Sequence, residues 1–301
     1  MHLVARPCPL CGSSDESSVF AETTFDPTKL DDFAFASRKL PDYMHHRLIV
    51  CPTCDLLYAT PVPTASDLRE AYGTAAFGSS TEARCAARTY AGLLPLITPR
   101  LPDRERALDV GAGDGAFLEE LVAAGFGHVV GVEPSAAARA AAKPGIQQLI
   151  RPVVFCAADY PNASFSLVTC FQTLEHLRDP LETCQAFYRL LKPGGAVLLV
   201  AHDCQALSAR ILGRRSPIFD IEHLQLFSQA SARRLLEAAG FSNISVRRLV
   251  NRYPLHYWVK LSPLPTRLKR SLIAVLDALR VGSTPIPLSA GNLAAIGFRP
   301  H

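Results

Sequence analysis

The sequence predicts an α/β fold, in which a mostly parallel sheet has helices on both faces and follows a small cysteine-rich module. Between residues 106 and 201, short apolar runs alternate with helical patterns. A glycine-rich loop, LDVGAGDG at residues 108–115, ends the first apolar run, and two C-x-x-C pairs lie within the first 54 residues. Strands that alternate with helices are typical of parallel sheets covered on both faces.

The composition argues against a dedicated nucleic-acid binder and against a membrane span. Charged residues make up 19% of the 301 residues and the formal net charge is +4, far from the dense positive field of a nucleic-acid-binding domain. No apolar run approaches the roughly 18 residues of a membrane span. Arg6, Pro7 and Cys8 stand where a signal peptide would need its apolar stretch, and the cysteines fit reduced thiols, so we expect a cytoplasmic protein.

The predicted elements begin with a helical connection and continue as alternating strands and helices. Thr64 and Asp67 form a capping-box-like helix start, and a further helix is predicted near residues 84–98. From Arg106 the predicted order is strand RALDV, helix AFLEELVAAG, strand HVVGVE, helix SAAARAAAK, strands PVVFCAA and FSLVTCF, helix PLETCQAFYRLL, strand GAVLLVA, helix QASARRLLEAAG, strand NISVRRLV and strand NLAAIGF.

These patterns divide the chain into three parts. Residues 1–62 form the cysteine-rich module, residues 63–100 the helical connection, and residues 101–301 the α/β domain, with a helical insertion near residues 261–281. The insertion contains the basic amphipathic segment TRLKRSLIAVLDALR. We expect this segment to be a helix that covers the sheet, and a helix lying on a membrane surface is the alternative.

The glycine loop predicts a nucleoside cofactor without phosphates. Its pattern is Gly111-x-Gly113-x-Gly115 and differs from the G-x-G-x-x-G of dinucleotide-binding folds. No lysine or Walker pattern follows it, which argues against a triphosphate. Glu133 ends the second strand, where it could bind a ribose diol, and Pro134 keeps the backbone extended there. An acidic rim favours a cofactor with a ribose, an adenine and its own positive charge.

Five separately placed segments resemble class I S-adenosylmethionine-dependent methyltransferases: LDVGAGDG, VVGVEPS, FQTLEHLRDP, LLKPGGAVLLV and EHLQLFSQASARRLLEAAGF. The resemblance covers about residues 105–245. It implies a Rossmann-like seven-stranded sheet of order 3-2-1-4-5-7-6 with the last strand antiparallel, and S-adenosylmethionine as cofactor. The residues that it assigns to the cofactor are Asp109, Gly111 and Gly113 along the methionine end, Glu133 with Pro134 at the ribose, Asp159 or Tyr160 at the adenine, and Gln172 and Thr173 facing the reacting centre.

The two cysteine pairs, CPLCG at residues 8–12 and CPTC at residues 51–54, predict a structural zinc site. Two tight pairs of thiolates supply the four ligands of a tetrahedral zinc ion, here Cys8, Cys11, Cys51 and Cys54, in a zinc-ribbon-like domain. A redox dithiol would need only one pair, between a strand and a helix. A zinc ion with four cysteine ligands has no open position for catalysis, so we assign it no chemistry.

The cysteine module followed by DLLYATPVP resembles the N-terminal module of methyltransferases that act on small molecules, including nucleotide-sugar C-methyltransferases. In that subfamily a glutamate–histidine pair precedes an hxxFS stretch, where h is an apolar residue. The corresponding segment here is IEHLQLFS, which gives Glu222 and His223. Histidine suits a general base near neutral pH, so we predict His223 as the base and Glu222 as its orienting partner. His176 is the second candidate, or else it anchors the helix that follows.

The sequence therefore predicts a methyltransferase for a small-molecule acceptor, a sugar, nucleotide-sugar or secondary metabolite methylated on oxygen or carbon. One alternative is an RNA methyltransferase whose zinc module grips nucleic acid, although the arginine pairs at 214–215, 233–234 and 247–248 are dispersed. The other alternative is a scaffold that binds the cofactor without catalysis. The sequence does not indicate the acceptor or the oligomeric state.

Overall fold

The computed structural model describes residues 2–26, 28, 35, 43–78, 80–262 and 264–301. Its strands are β1 (Leu3–Val4), β2 (Val19–Ala21), β3 (Leu48–Val50), β4 (Leu57–Ala59), β5 (Val62–Pro63), β6 (Arg106–Val110), β7 (His128–Val132), β8 (Ile150–Arg151), β9 (Phe165–Phe171), β10 (Leu191–His202), β11 (Gln225–Leu226), β12 (Ser242–Pro254) and β13 (Pro285–Phe298). Its helices are α1 (Ala65–Thr74), α2 (Ser80–Ala91), α3 (Ala116–Ala123), α4 (Ala136–Ala141), α5 (Pro144–Gln147), α6 (Pro180–Leu190), α7 (Leu207–Leu212), α8 (Gln229–Ala238), α9 (Leu255–Leu261) and α10 (Thr266–Ala278).

Seven strands form the central sheet in the order β8-β7-β6-β9-β10-β13-β12. Numbered along the chain within this sheet, the order is the predicted 3-2-1-4-5-7-6. The pairs between β6, β7, β8, β9 and β10 are parallel, whereas β13 is antiparallel to both β10 and β12. The predicted α/β Rossmann-like sheet is confirmed.

The inner strands are mostly apolar on both sides because helices cover both faces of the sheet. In β6, Leu108 packs into the core on one face, whereas its neighbour Ala107 packs into the core on the other. Leu199 and Leu198 of β10 divide in the same way between the two cores. Successive side chains of a strand point to opposite faces, so an apolar run without alternation indicates two buried faces.

Two sequence predictions fail at prolines. The predicted strand PVVFCAA at residues 152–158 is wrong, because the sheet strand is β8 and ends at Arg151. Pro152 has no N–H to donate to a ladder, and the chain turns there, with the Val153 N–H donating to the Arg151 carbonyl oxygen at 2.9 Å. The helix predicted near residues 84–98 ends at Ala91, and the chain continues in two 3₁₀ turns, Leu94–Leu96 and Thr98–Arg100, each with a proline as its second residue.

The N-terminal region is joined to the α/β domain through a shared sheet. Its four strands lie in the order β11-β4-β3-β2, so β11 from the second half of the chain pairs with β4. The pair is antiparallel, with Gln225 opposite Tyr58 and Leu226 opposite Leu57. The segment immediately before β11 is therefore held against the N-terminal region.

Helices α9 and α10 lie between β12 and β13. The expectation that α10 covers the sheet is wrong, because none of its residues, all of which the structure describes, is buried. Instead α10 packs against α9: the Lys269 Nζ donates to the Lys260 carbonyl oxygen at 2.7 Å, and Asp277 pairs with His256 at 2.8 Å. Among the described residues, no helix is long and apolar enough to cross a membrane.

Candidate functional site

A cavity of about 430 Å³ opens where the parallel strands β6, β7, β9 and β10 end. Ligands bind at this edge of open α/β sheets. We call the part lined by Gly111, Gly113 and Glu133 the cofactor end, and the part lined by His176, His202, Glu222 and His223 the acceptor end. The residues that line both parts together include all seven of these and Asp109, Pro134, Gln172 and Thr173.

The glycine loop brings backbone to the cofactor end. Gly111, Gly113 and Gly115 have φ angles of 79°, 56° and 73°, in the left-handed region that side chains disfavour. A Cβ on Gly111 would lie 2.0 Å from the Thr173 Oγ1, so the loop and the end of β9 touch only because this residue is glycine. The predicted cofactor residues Gly111 and Thr173 are thus neighbours.

Glu133 lies at the rim of the cofactor end, and its carboxylate is already oriented. One oxygen accepts the Gly113 N–H at 2.9 Å and the other accepts the Ser135 N–H at 2.8 Å. Burial raises the pKa of Glu133, while these two N–H donors lower it. Each carboxylate oxygen can accept a further hydrogen bond, which is the geometry a ribose diol requires. Pro134 follows it in the wall of the cavity.

Asp109 is buried at the end of β6, and the Thr169 hydroxyl donates to its Oδ1 at 2.6 Å. Burial, with a smaller contribution from the nearby Glu133, raises the pKa of Asp109 to about 7 against the lowering effect of the Thr169 hydroxyl. A carboxyl group held in this way can accept a proton or bind a cationic group, and its position beside the loop fits the predicted place along the methionine end.

The structure does not bring Asp159 and Tyr160 into the cavity. Val154 and Phe155 form the wall at that end. Asp159 pairs with Arg151 at 3.7 Å, and Tyr160 packs on Phe155 and Phe165. Their assignment to the adenine remains a prediction without support from this geometry.

Gln172 joins the loop after β9 to the acceptor end. Its φ is 47°, and its backbone N–H donates to the Val200 carbonyl oxygen at 2.6 Å. The Tyr90 hydroxyl donates to its side-chain Oε1 at 3.1 Å. Its carbonyl oxygen accepts from the Nε2 of His176 at 2.9 Å. Gln172 therefore holds its neighbours in place as well as facing the cavity.

His176 is held by the chain through both ring nitrogens. The Nε2 of His176 lies 2.9 Å from the Gln172 carbonyl oxygen, and the Nδ1 lies 3.2 Å from the Glu222 carbonyl oxygen. Both carbonyls can only accept, and we assign the proton of the neutral imidazole to the Nε2 because its contact is the shorter one. The Nδ1 then accepts from the Tyr72 hydroxyl at 2.9 Å. The Nδ1 also lies 3.8 Å from a Glu222 carboxylate oxygen. These bonds orient His176 as part of the cavity wall.

His223 has the opposite arrangement. Its Nδ1 lies 2.8 Å from the Ile218 carbonyl oxygen and therefore carries the proton. The Nε2 is then the basic nitrogen of the neutral ring, and it lies 3.9 Å from the other Glu222 carboxylate oxygen. The rings of His176 and His202 lie 5.0 Å and 4.9 Å from that of His223, between ring centroids. The predicted trio His176, Glu222 and His223 thus meets at one place.

The segment that carries His223 is fixed from the N-terminal region by Arg6. This buried guanidinium donates to the Leu224 carbonyl oxygen at 2.6 Å and to the Ala59 carbonyl oxygen at 3.0 Å. It also donates to the carbonyl oxygen of Arg178 at 2.5 Å and to the side-chain oxygen of Gln225 at 3.0 Å. One side chain therefore joins β4 to both loops of the acceptor end.

The four predicted metal ligands form a cluster. The Sγ of Cys8 lies 3.5 Å from that of Cys54, the Sγ of Cys11 lies 3.4 Å from that of Cys51, and all four atoms are within 4.8 Å of one another. A disulfide would be about 2.05 Å, whereas sulfurs around a zinc ion with Zn–S bonds near 2.3 Å lie about 3.8 Å apart. The hydrogen bond with Cys54 and two backbone N–H groups lower the pKa of Cys8 to about 5.

The trio at the acceptor end could also hold a divalent cation, since its ligand atoms lie within 4.8 Å of one another. The hydrogen bonds favour acid–base chemistry instead. The Nδ1 of His176, which would be the ligand atom facing Glu222, already accepts the Tyr72 hydroxyl.

Several lining residues lie far from any motif, and sequence reasoning missed them. Tyr72 and Tyr90 come from α1 and α2, and their only signal was a position on an amphipathic helix. The others come from β10, β12, β13 and α9, and they are His202, Asn251, Asn292, Tyr253, Tyr257 and Trp258.

The sheet order, the glycine loop and the acidic residue after β7 together define a class I S-adenosylmethionine-dependent methyltransferase. Residues 83–246, more than half of the chain, match the family model described as a methyltransferase domain. The chain belongs to this methyltransferase domain family.

Curated relatives match a shorter part of the chain. The ubiquinone biosynthesis O-methyltransferase of Aromatoleum aromaticum is 36% identical over 104 residues, which are 31% of this chain and 42% of that protein. The protein of the same name from Pectobacterium atrosepticum is 36% identical over 116 residues, 36% of this chain and 48% of that protein. The chain thus spans less than half the length of either relative.

Among solved structures, the YcgJ protein from Bacillus subtilis superposes with a TM-score of 0.50 at 21% sequence identity. The match covers 71% of this chain and 99% of that chain. At this identity the likeness shows a shared fold.

Proposed function

We propose that this methyltransferase methylates a hydroxyl group, or an acidic carbon, of a small-molecule acceptor, with His223 as the general base. The observation that carries the proposal is the hydrogen bond from the Nδ1 of His223 to the Ile218 carbonyl oxygen, which leaves the Nε2 as the basic nitrogen of a ring that lines the cavity. Glu222, 3.9 Å from that nitrogen, would stabilise the imidazolium that forms.

The residues of the cofactor end fit S-adenosylmethionine. The left-handed glycines leave room for close approach, and the Glu133 carboxylate faces the same cavity as the acceptor end. When bound, this cofactor supplies an electrophilic methyl group on a positively charged sulfur. Glu133 would bind the ribose hydroxyls, and Asp109 would lie along the methionine end. Positioning of the acceptor supplies much of the rate of an in-line displacement.

At the acceptor end, His223 would take the proton from the acceptor hydroxyl as the oxygen attacks. His176 would position the Gln172 loop through the bond from its Nε2, while its Nδ1 lies 3.8 Å from the Glu222 carboxylate. The relatives bear the name ubiquinone biosynthesis O-methyltransferase, which favours oxygen as the methylated atom. The aromatic lining, which includes Tyr72, Tyr253 and Trp258, suits a compact organic molecule, whether a phenol or a sugar ring.

The test is methyl transfer from isotope-labelled S-adenosylmethionine to matched acceptors: phenols, free sugars and nucleotide-sugars, each with an O-methylated or deoxy counterpart. The expected result is turnover with one acceptor class, no turnover with its O-methylated counterpart, and no requirement for an added divalent cation. A product methylated on nitrogen, or turnover that requires Mg²⁺ or Mn²⁺, would contradict the assignment of His223 as a base for oxygen or carbon.

We infer further that Cys8, Cys11, Cys51 and Cys54 hold a structural zinc ion. Four sulfurs at these separations are the donor set that zinc prefers. The second cysteine pair is tied to α8, because Asp55 accepts from the Ser228 hydroxyl at 2.7 Å and the Thr53 carbonyl accepts from Arg234 at 3.0 Å. Elemental analysis should find about one zinc per chain, and Cys51→Ser should lose it together with thermal stability, whereas Cys156→Ser, at an exposed cysteine outside the cluster, should not.

A further inference from the structure

Helix α10 presents an apolar stripe to solvent. Leu268, Leu272, Val275 and Leu279 recur at helical spacing and therefore share one face. These four residues are 46%, 36%, 53% and 65% exposed. Large exposed residues scattered singly need no explanation, but a contiguous stripe marks an interaction surface.

The stripe faces outward because another face of α10 is used by α9. The two polar links between these helices, from Lys269 to the Lys260 carbonyl oxygen and from Asp277 to His256, fix the rotation of α10 about its axis. Ile273 and Leu276, on the side next to Lys269, are half-buried. The four stripe residues thus lie on a different face from this contact, about 115° away around the helix axis.

Positive charge accompanies the stripe. Arg267 and Lys269 lie about 90–110° to either side of the stripe, Arg270 lies on the side away from it, and Arg280 follows the end of the helix. Asp277 is the one acidic residue of this helix, and it pairs with His256. An apolar face with flanking cations is complementary to a surface with an apolar interior and anionic head groups. A second copy would bring the same cations against one another, which opposes pairing through this face.

We propose that the stripe of α10 docks this protein on the surface of an anionic lipid bilayer. The helix lies in the plane of the interface, with the four apolar side chains among the acyl chains and the flanking cations at the head groups. The inference goes beyond the proposed function and does not depend on it. It has a consequence for the cavity, because Tyr257, Trp258 and Leu261 of α9 line it. Docking places this wall of the cavity next to the lipid.

The test is flotation of the full chain with vesicles of phosphatidylcholine alone and of equal parts phosphatidylcholine and phosphatidylglycerol. The expected result is binding to the anionic vesicles that falls at about 0.5 M NaCl, with little binding to phosphatidylcholine alone. The double variant Leu272→Glu/Val275→Glu should lower the bound fraction about tenfold or more. Val122→Glu, at a residue that is 50% exposed on α3, is the matched control and should bind as the wild type does.

Further measurements distinguish a loss of the lipid contact from two other causes of reduced vesicle binding, unfolding and self-association. S-adenosylmethionine affinity and the unfolding temperature should be unchanged in the Leu272→Glu/Val275→Glu variant. If that variant is unstable, Leu268→Ser/Leu279→Ser tests vesicle binding in its place. Equal flotation of the wild type and both double variants would overturn the proposal. So would a dimer in sedimentation velocity that the double variants abolish, without vesicle binding, since the stripe would then bind a second copy.

Discussion

The Nδ1 of His223 lies 2.8 Å from the carbonyl oxygen of Ile218. A carbonyl cannot donate, so this contact sets the tautomer of the ring and turns its basic nitrogen toward Glu222. His176, whose ring centroid is 5.0 Å away, has both nitrogens bound by Gln172 and Tyr72. Two neighbouring histidines are therefore prepared for different roles.

His223→Ala should reduce kcat by about 10²–10⁴, which is the usual contribution of a positioned general base. The Kd for S-adenosylmethionine should stay unchanged, because His223 lies at the acceptor end. Steady-state kinetics and calorimetry measure the two quantities. His128→Ala, at an exposed histidine at the start of β7, is the matched control and should leave both unchanged.

His176→Ala should act mainly on stability and on acceptor KM, since it removes bonds to Tyr72 and Gln172. The expected loss is about 1–3 kcal/mol of unfolding free energy. If this variant folds, binds the cofactor and yet loses turnover completely, while His223→Ala stays active, the roles of the two histidines must be exchanged.

Glu133→Ala should weaken S-adenosylmethionine binding by about 10- to 150-fold, the equivalent of roughly 1.5–3 kcal/mol for hydrogen bonds to a charged group. The Gly113 and Ser135 N–H groups would lose their acceptor at the same time. Glu182→Ala, at an exposed glutamate in the first turn of α6, is the control for calorimetry. Equal affinities in the two variants would place the ribose elsewhere.

The stability of the fold should fall as the pH rises through neutrality, partly because of Glu175. Burial raises the pKa of Glu175 to about 7, against the lowering effect of the His202 N–H. The folded chain then binds more protons than the unfolded chain between about pH 4.5 and 7, so this stability is present at low pH and is lost above pH 7. Glu175→Gln should make the decrease in unfolding free energy between pH 5 and pH 8 smaller by about 1–3 kcal/mol.

Urea unfolding at the two pH values measures that difference. The matched control Glu182→Gln, at an exposed glutamate, should keep the wild-type pH dependence of the unfolding free energy. A Glu175→Gln variant with the same pH dependence as the wild type would show that this carboxyl titrates at its ordinary pKa in the folded chain.

Arg6→Lys should uncouple the N-terminal region from the acceptor end. Lysine keeps the charge but cannot reach the carbonyl oxygens of Ala59, Arg178 and Leu224 together. We expect a loss of about 2–4 kcal/mol in unfolding free energy and a lower kcat, with zinc content and S-adenosylmethionine affinity unchanged. Arg104→Lys, at an exposed arginine with one carbonyl partner, is the control and should leave both the unfolding free energy and kcat unchanged. A normal kcat in Arg6→Lys would show that Arg6 does not position the His223 segment.

Local patterns predicted the parts of the fold that depend on local physics. The parallel, helix-covered sheet followed from apolar runs that alternate with helices, whereas its strand order was implied by the resemblance to class I methyltransferases. The glycine loop has left-handed residues at Gly111, Gly113 and Gly115. The prediction of a strand across Pro152 failed because apolar periodicity alone does not register a missing N–H donor. The acceptor end depends on tertiary packing. Tyr72 reaches His176 across 104 positions of the chain, and no spacing in the sequence signals that contact.

A crystal structure with S-adenosylhomocysteine tests the central claim most directly, that one cavity holds the cofactor at Glu133 and the acceptor at His223. The predicted result has both ribose hydroxyls within hydrogen-bonding distance of the Glu133 carboxylate and the sulfur facing His176, Glu222 and His223. A nucleoside bound away from Glu133, or a sulfur that points away from these three residues, would contradict the account.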